Sequence, residues 1–195
     1  MSRVLLVDHH DSFTFNVWQL VASLGHDCDV VLSGEIDVAS VRLRAPSGII
    51  LSPGPCTPRE AGASPAIALA VARGELAVPL LGICLGHQVI GAVLGASVQR
   101  AKRPVHGRAT PIRHDGRGLF EGLPSPFIQA RYHSLVVDPS TMPPELEPCA
   151  WSEDGELMAM RHVSAPIDGV QFHPESFMSE AGPELMRRWL TTLGR

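Results

Sequence analysis

Short apolar runs alternate with segments of helical periodicity through the first half of the chain. Four runs are almost wholly apolar, as expected of strands buried on both faces of a sheet: 3–8, 28–32, 48–55 and 79–84. The segments between them repeat apolar residues every three or four positions, which predicts helices: 11–25, 37–45, 64–74 and 86–96. This alternation predicts an α/β fold with a parallel sheet covered by helices on both faces.

The second half of the chain has a different pattern. Its apolar stretches are shorter and are separated by turn residues, which predicts six further strands and a closing helix. The predicted strands are 98–102, 108–114, 127–138, 147–155, 156–162 and 167–176, and the helix is 182–194. No internal repeat, linker or low-complexity segment interrupts the pattern, so residues 1–195 are expected to form a single domain.

Composition narrows the possible functions. With 195 residues, 45% of them hydrophobic, the chain can bury a sizeable core, and its net charge of −4 gives no basic footprint for nucleic acid. No apolar run has the length of a membrane span, and the first residues lack the pattern of a signal peptide, so a cytoplasmic location is expected. The four cysteines form no CxxC pair, which argues against a disulfide framework.

Candidate chemistry is concentrated where three predicted strands end. In open α/β sheets, ligands bind beyond the carboxyl ends of the strands. Three such ends carry tight-turn or reactive residues: SPGP (52–55), GICLG (82–86) and QFHPE (171–175). We therefore expect these three segments to meet at one edge of the sheet.

The segment GICLG has the form of a nucleophile elbow, in which a reactive residue lies between two glycines on a sharp strand-to-helix turn. Such a turn places Cys84 at the start of a helix, where backbone amides favour the thiolate. The backbone N–H of Leu85 would face the same space and could donate to an oxyanion. The alternative interpretation is a small buried cysteine in a crowded turn.

A nucleophilic cysteine needs a base, and the base needs an orienting group. His173 and Glu175 supply both types, and residues two apart on a strand point to the same face. In the SPGP segment, Gly54 would let a substrate approach closely and could provide a second oxyanion donor. A plain turn explains Gly54 equally well.

A zinc site is the competing interpretation of the same residues, because four nitrogen, sulfur and oxygen ligands are available. The candidate ligands are Cys84, His87, His173 and Glu175. A glycine elbow does not resemble a zinc knuckle, and a closed metal site would quench a thiolate nucleophile, so we predict no metal. His9, His10 and His114 have no partners at ligand spacing and are predicted to be solvated loop residues.

Taken together, the three motifs resemble the class I glutamine amidotransferases. The family's catalytic Cys, His and Glu match Cys84, His173 and Glu175, in the family's order and at about its usual spacing. Five segments further resemble the chorismate-using branch, which comprises the amidotransferase subunits of anthranilate synthase and aminodeoxychorismate synthase: DSFTFN (11–16), LSPGPCTPREAG (51–62), HGR (106–108), RYHSLVV (131–137) and GVQFHPES (169–176). The resemblance covers the whole chain and implies a central, largely parallel mixed sheet flanked by helices, with a smaller antiparallel section.

The resemblance also implies a set of site residues. Cys84, His173 and Glu175 would be catalytic, and the amides of Gly54 and Leu85 would form the oxyanion hole. The residues implied for glutamine binding are Pro53, Gly54, Pro55, Gln88, Ser134 and Leu135. The sequence departs from the branch at DHHDSF, where an Asn-Tyr pair is more usual, and at Arg108, where Lys is commoner.

The implied activity is hydrolysis of L-glutamine through a cysteine thioester. Ammonia would then pass to a chorismate-using synthase partner, which makes 4-amino-4-deoxychorismate or anthranilate. No cofactor is implied in this chain, and any Mg²⁺ requirement would belong to the synthase; neither nucleic acid nor a membrane is implied as a partner. Two alternatives stay open: a stand-alone γ-glutamyl hydrolase, and a non-catalytic regulatory subunit on the same scaffold.

Overall fold

A computed structural model describes residues 2–194, and its elements alternate as the first half of the sequence predicts. The strands are β1 (Arg3–Asp8), β2 (Asp27–Leu32), β3 (Gly48–Leu51), β4 (Leu80–Ile83), β5 (Val98–His114), β6 (Phe127–Val137), β7 (Leu146–Ser152), β8 (Leu157–His162) and β9 (Ile167–Val170). The helices are α1 (Thr14–Ser23), α2 (Val38–Arg44), α3 (Ser64–Ala72), α4 (Leu85–Val93) and α5 (Gly182–Thr191). Across the described residues 2–194, none of the helices has both the length and the apolar character needed to cross a bilayer.

All nine strands belong to one sheet, in the order β2-β1-β3-β4-β9-β8-β7-β5-β6. The first five in this order pair in parallel, and the remaining pairs are antiparallel. The predicted mixed α/β architecture is confirmed, and its antiparallel section continues the parallel sheet directly. Strand β9 joins the two sections, since it is parallel to β4 and antiparallel to β8.

The sheet has a hydrophobic core on each face. Along β1, Val4 and Leu6 belong to one core while Leu5 and Val7 belong to the other, as the two-residue period of a doubly buried strand requires. Helices α1 and α5 contribute to the first core, and α2, α3 and α4 contribute to the second. Both faces of the parallel section are therefore covered.

Several predicted boundaries differ from the structure. The two strands predicted at 98–102 and 108–114 form one long strand, β5, which is interrupted only by register shifts opposite β6. The strand predicted to run from 167 to 176 stops at Val170, and beyond it only an isolated bridge joins His173 to Ala130. Regular pairing therefore ends before the FHPE segment.

The starts of α1 and α2 differ in how they are capped. Asp11 does not cap α1 directly: its carboxylate accepts from the Phe13 amide at 2.7 Å, and α1 begins at Thr14. Helix α2 is capped by the Asp37 carboxylate, which accepts from the Ser40 amide at 2.7 Å. Asp11 therefore stabilises the loop before α1, next to the strand ends.

The turn between β4 and α4 is packed too tightly for side chains at its two glycines. A Cβ at Gly82 would lie 2.5 Å from the carbonyl carbon and oxygen of Gly86 and 2.6 Å from Ile90 Cδ1. A Cβ at Gly86 would collide with the backbone of Leu51 on β3. Helix α4 can therefore lie directly against the ends of β3 and β4 only because both positions are glycine.

Gly82→Ala should destabilise the protein, because the new methyl group meets backbone atoms that cannot rotate away. We expect a loss of about 1–3 kcal/mol in the free energy of unfolding, measured by urea denaturation. Gly34→Ala is the matched control, since a Cβ there meets nothing within 4 Å. It should change stability by less than about 0.5 kcal/mol. Equal unfolding midpoints for the two variants would contradict this account of the turn.

Candidate active site

Cys84 occupies a strained backbone position between β4 and α4. Its φ of 52° and ψ of −99° lie in a region that residues with a side chain rarely adopt. It is the residue immediately before α4, and its own amide donates to the carbonyl of Val170 at 2.8 Å. The side chain is thus held at the amino end of a helix with only 6% of its surface exposed.

His173 and Glu175 form a buried pair just beyond β9. The imidazole Nδ1–H donates to the Glu175 carboxylate over 2.6 Å, and the side chains are 2% and 0% exposed. The His173 amide donates to the carbonyl of Ala130 on β6, which fixes the backbone. With Nδ1 engaged, Nε2 has no hydrogen-bond partner among residues 2–194 and remains available for proton transfer.

The electrostatic surroundings of His173 favour its protonated form. Burial by itself lowers the pKa of this imidazole, but the charges of Glu175 and of the Cys84 thiolate raise it, and the net result is a pKa well above 6.5. Cys84 therefore lies near enough to the imidazole for its charge to act on His173. The protonated imidazole is therefore the favoured form of His173.

Two aromatic rings pack against the imidazole of His173. The ring centroids of Phe13 and Tyr132 lie 5.4 Å and 5.0 Å from that of His173, both at steep interplanar angles. Phe13 and Tyr132 also contact each other, with centroids 4.9 Å apart. The DSF segment after β1 and the RYHSL segment of β6 thus meet at the predicted base, a contact that hydrophobic periodicity does not reveal.

The two predicted oxyanion donors are brought together. Leu85 is the first residue of α4, and the first amides of a helix have no acceptor within it. A Cβ at Gly54 would lie 2.5 Å from Leu85 Cδ2 and 2.7 Å from His9 Cβ, so the SPGP turn packs directly on the elbow. Of the flanking prolines, Pro53 is buried and Pro55 is exposed.

Two of the residues expected to bind the substrate, Gln88 and Leu135, contact each other directly. Gln88 is buried, and its Nε2 donates to the Leu135 carbonyl at 3.1 Å, which links α4 to β6. Ser134, one residue earlier on β6, is exposed. Because Nε2 of Gln88 is already a donor to protein groups, the Oε1 acceptor is the part that remains for an ammonium group.

Gln171 is a site residue that the sequence reasoning missed. It is fully buried, and its Nε2 donates to the Cys84 sulfur at 3.5 Å. A signal for it existed: Gln171 precedes His173 by two positions and is a polar residue in an otherwise apolar stretch. Two-residue alternation could have placed both side chains on the Cys84 face.

The prediction that His9 is a solvated loop residue is wrong. His9 is buried beside the SPGP turn, where its Nδ1 lies 3.0 Å from the carbonyl of Ser52 and its Nε2 lies 2.8 Å from Ser64 Oγ. Burial lowers the pKa of His9. The ring therefore supports the turn that carries Gly54, which local sequence spacing could not indicate because Ser52 and Ser64 are distant in the chain.

Three further histidines, His87, His114 and His10, differ in how deeply they are buried. His87 is fully buried on α4, and burial lowers its pKa to about 4. His114 is the last residue of β5 and stacks on Phe120, so the prediction that it is a solvated loop residue is also wrong. His10 is exposed, as predicted.

Comparison with known proteins identifies the family. The family described as "Glutamine amidotransferase class-I" matches residues 5–193. The chain therefore belongs to the class I glutamine amidotransferases. Among solved structures, a Thermoplasma acidophilum protein described as part of a GMP synthase has a TM-score of 0.85 and 27% identity, covering 98% of this chain and 93% of the other. A Thermotoga maritima glutamine amidotransferase has a TM-score of 0.73 at 22% identity, covers 98% and 81%, and supports the fold alone.

Curated relatives are similar over nearly their whole length. Aminodeoxychorismate synthase component 2 of Klebsiella aerogenes is 45% identical over 187 residues, covering 96% of this chain and 98% of the relative. Anthranilate synthase component 2 of Azospirillum brasilense is also 45% identical, over 192 residues, with 98% and 97% covered. The Bacillus subtilis relative carries both names, "Aminodeoxychorismate/anthranilate synthase component 2", at 42% identity, with 97% and 96% covered.

Cys84 should react with iodoacetamide before Cys28 and Cys149 at pH 7.5. Burial raises the pKa of Cys28 and Cys149 to about 12 each, so almost all of these thiols are protonated at that pH. Peptide mapping by mass spectrometry measures the order of labelling, and Cys84→Ser is the control. Labelling of Cys149 as fast as Cys84 would contradict the assignment.

Glu175→Gln should slow the alkylation of Cys84 near pH 7. Loss of the carboxylate charge lowers the pKa of His173, so the imidazole is less protonated at neutral pH and stabilises the thiolate less. Alkylation should require a higher pH, and glutamine hydrolysis should fall by about 100-fold or more. Alkylation rates from pH 5 to 10 test this, and an unchanged pH profile in a folded variant would refute the orienting role of Glu175.

Proposed function

We propose that this chain hydrolyses L-glutamine with Cys84 as nucleophile, His173 as acid and base, and Glu175 as the orienting group. The observation that carries the proposal is the buried His173–Glu175 hydrogen bond of 2.6 Å beside a cysteine at a helix start. The free Nε2 is suited to the role of proton donor, since Nδ1 is occupied by the carboxylate. Residues 1–195 are proposed to act as one domain.

The reaction follows from these positions. The Cys84 thiolate attacks the side-chain amide carbon, and the amides of Leu85 and Gly54 stabilise the oxyanion. His173 donates its Nε2 proton to the leaving nitrogen, which departs as ammonia and leaves a γ-glutamyl thioester. Neutral His173 then takes a proton from water, whose oxygen attacks the thioester. Glutamate leaves, and the thiolate–imidazolium pair is restored.

The substrate's amino acid end is proposed to bind among the six residues implied by the family. Gln88 Oε1 can accept from the α-ammonium, and backbone groups of Ser134 and Leu135 can complete the polar contacts. The SPGP turn, Pro53 to Pro55, would lie over the side-chain amide. Such a site needs no cofactor for its own chemistry.

The ammonia is proposed to serve a synthase partner that uses chorismate. Support comes from the full-length similarity to relatives named component 2 of aminodeoxychorismate synthase and of anthranilate synthase. Their identities to this chain are equal at 45%, so both products, 4-amino-4-deoxychorismate and anthranilate, stay as candidates. A cytoplasmic location stays a prediction from the sequence.

Cys84→Ser in the complex with the synthase should abolish glutamine-dependent synthesis and preserve ammonia-dependent synthesis. The serine hydroxyl is a far weaker nucleophile than the thiolate, while the acceptor site on the partner is unaffected. Cys28→Ser, on β2 far along the sheet from β9, is the matched control and should retain both activities.

Three outcomes separate the candidates. Equal loss of both activities would refute the division of labour between the two proteins of the complex. Strong glutaminase or peptidase activity of the isolated chain would favour a γ-glutamyl hydrolase. A Cys84 that fails to react with a glutamine-analogue electrophile would favour the regulatory role. Chromatography of the product of the active complex distinguishes the ortho isomer from the para isomer.

A further inference from the structure

A continuous line of hydrogen bonds connects the glutamine-binding strand to the Cys84 sulfur. Gln88 Nε2 donates to the Leu135 carbonyl on β6 and to Gln171 Oε1, both at 3.1 Å. Gln171 Nε2 in turn donates to the Cys84 sulfur at 3.5 Å. Gln88, Gln171 and Cys84 are at most 6% exposed, so water does not compete for these bonds.

The orientation of each amide is dictated by a backbone carbonyl. Leu135 O can only accept, so the Gln88 atom facing it must be the amino nitrogen. The second hydrogen of that nitrogen is then directed at Gln171, whose facing atom must be the carbonyl oxygen. The other end of the Gln171 amide, its NH₂ group, is thereby turned toward sulfur.

His133 adds a second constraint at the same carbonyl. Arg131 Nε donates to His133 Nε2 at 3.0 Å, and a guanidinium cannot accept, so the imidazole proton must be on Nδ1. Nδ1 lies 3.1 Å from Leu135 O and donates to it. Burial, and next the charge of Arg131, lower the pKa of His133 to about 3, which keeps this ring neutral.

The backbone of Gln171 is held as firmly as its side chain. Its amide donates to the Met158 carbonyl on β8 at 2.8 Å, while the preceding carbonyl, Val170 O, accepts from the Cys84 amide at 2.8 Å. The donor and the sulfur therefore belong to directly hydrogen-bonded segments. Within residues 2–194, the Gln171 side chain hydrogen-bonds only to Gln88 and Cys84.

We propose that Gln171 is a positioning residue that holds the Cys84 thiolate in line with His173, with its orientation set from Leu135 through Gln88. An N–H donor stabilises a thiolate more than a neutral thiol, because hydrogen bonds to charged acceptors are the stronger ones. Leu135 also belongs to the proposed glutamine-binding strand. The same chain of hydrogen bonds therefore connects the proposed substrate pocket to Cys84. This inference rests on the proposed function.

Gln171→Met removes the donor while keeping the side chain's length and apolar packing. The pH midpoint of Cys84 alkylation by iodoacetamide should rise by about one unit, a tenfold change in ionisation. Glutaminase kcat should fall about tenfold, with KM for glutamine changing less than about twofold, because Gln171 contacts the sulfur rather than the substrate. Gln171→Glu should raise the midpoint further if its carboxylate is ionised, since it then repels the thiolate.

Gln129→Met is the matched control, because Gln129 is an equally buried glutamine whose amide has no hydrogen-bond partner within residues 2–194. It should leave the midpoint unchanged. A folded Gln171→Met with an unchanged midpoint, or the same shift from Gln129→Met, would overturn the proposal.

If Gln171→Met does not fold, Gln88→Met decides the question. Without the Gln88 donor, the Gln171 amide is no longer held with its nitrogen toward the Cys84 sulfur, so the alkylation midpoint should still rise. An unchanged midpoint would show that Gln88 does not orient Gln171, and would refute the proposal. Alkylation by iodoacetamide measures the ionisation of Cys84 and does not require turnover of glutamine. A wild-type complex with the synthase that shows no glutamine-dependent synthesis would therefore refute the proposed function, while the alkylation midpoints would still test Gln171.

Discussion

The parallel pairing of β4 with β9 is the constraint on which the site depends. These strands are separated by more than eighty residues in the chain, yet Ile83 is in register with Val170 and the Cys84 amide donates to Val170 O. The pairing therefore places Cys84, the proposed nucleophile, beside the first residue after β9. From there, two-residue alternation brings His173 to the same edge of the sheet, where the isolated bridge to β6 stops its backbone from moving away.

The same pairing explains how a strained residue can persist. A non-glycine backbone at the Cys84 angles costs about 1–3 kcal/mol, and such geometry survives only where the surroundings dictate it. Here the strand before Cys84 is bonded on both sides, and the helix after it packs against β3 through Gly86. In this geometry the buried Cys84 sulfur accepts from Gln171 Nε2 and lies near His173.

Several buried polar side chains, from Glu156 to Gln88, form one connected network. Arg131 and Glu156 form an ion pair of 2.7 Å with both side chains at most 4% exposed. From Arg131 the hydrogen bonds continue through His133 to Leu135 O, which Gln88 also reaches. Because unpaired buried polar groups are costly, a connected network of this kind admits few alternative arrangements. It gives β6 and α4, which carry the residues proposed to bind glutamine, a fixed relation.

Much of the fold was readable from the sequence by itself, because doubly buried strands and amphipathic helices leave periodic patterns. The glycines of GICLG and the FHPE segment also indicated a nucleophile and its base, and family resemblance joined them. Tertiary structure alone decided the rest. It merged two predicted strands into β5, buried His9 against Ser52 and Ser64, and turned the Gln171 amide toward sulfur. These features depend on contacts between residues far apart in the chain, and local periodicity carries no information about such contacts.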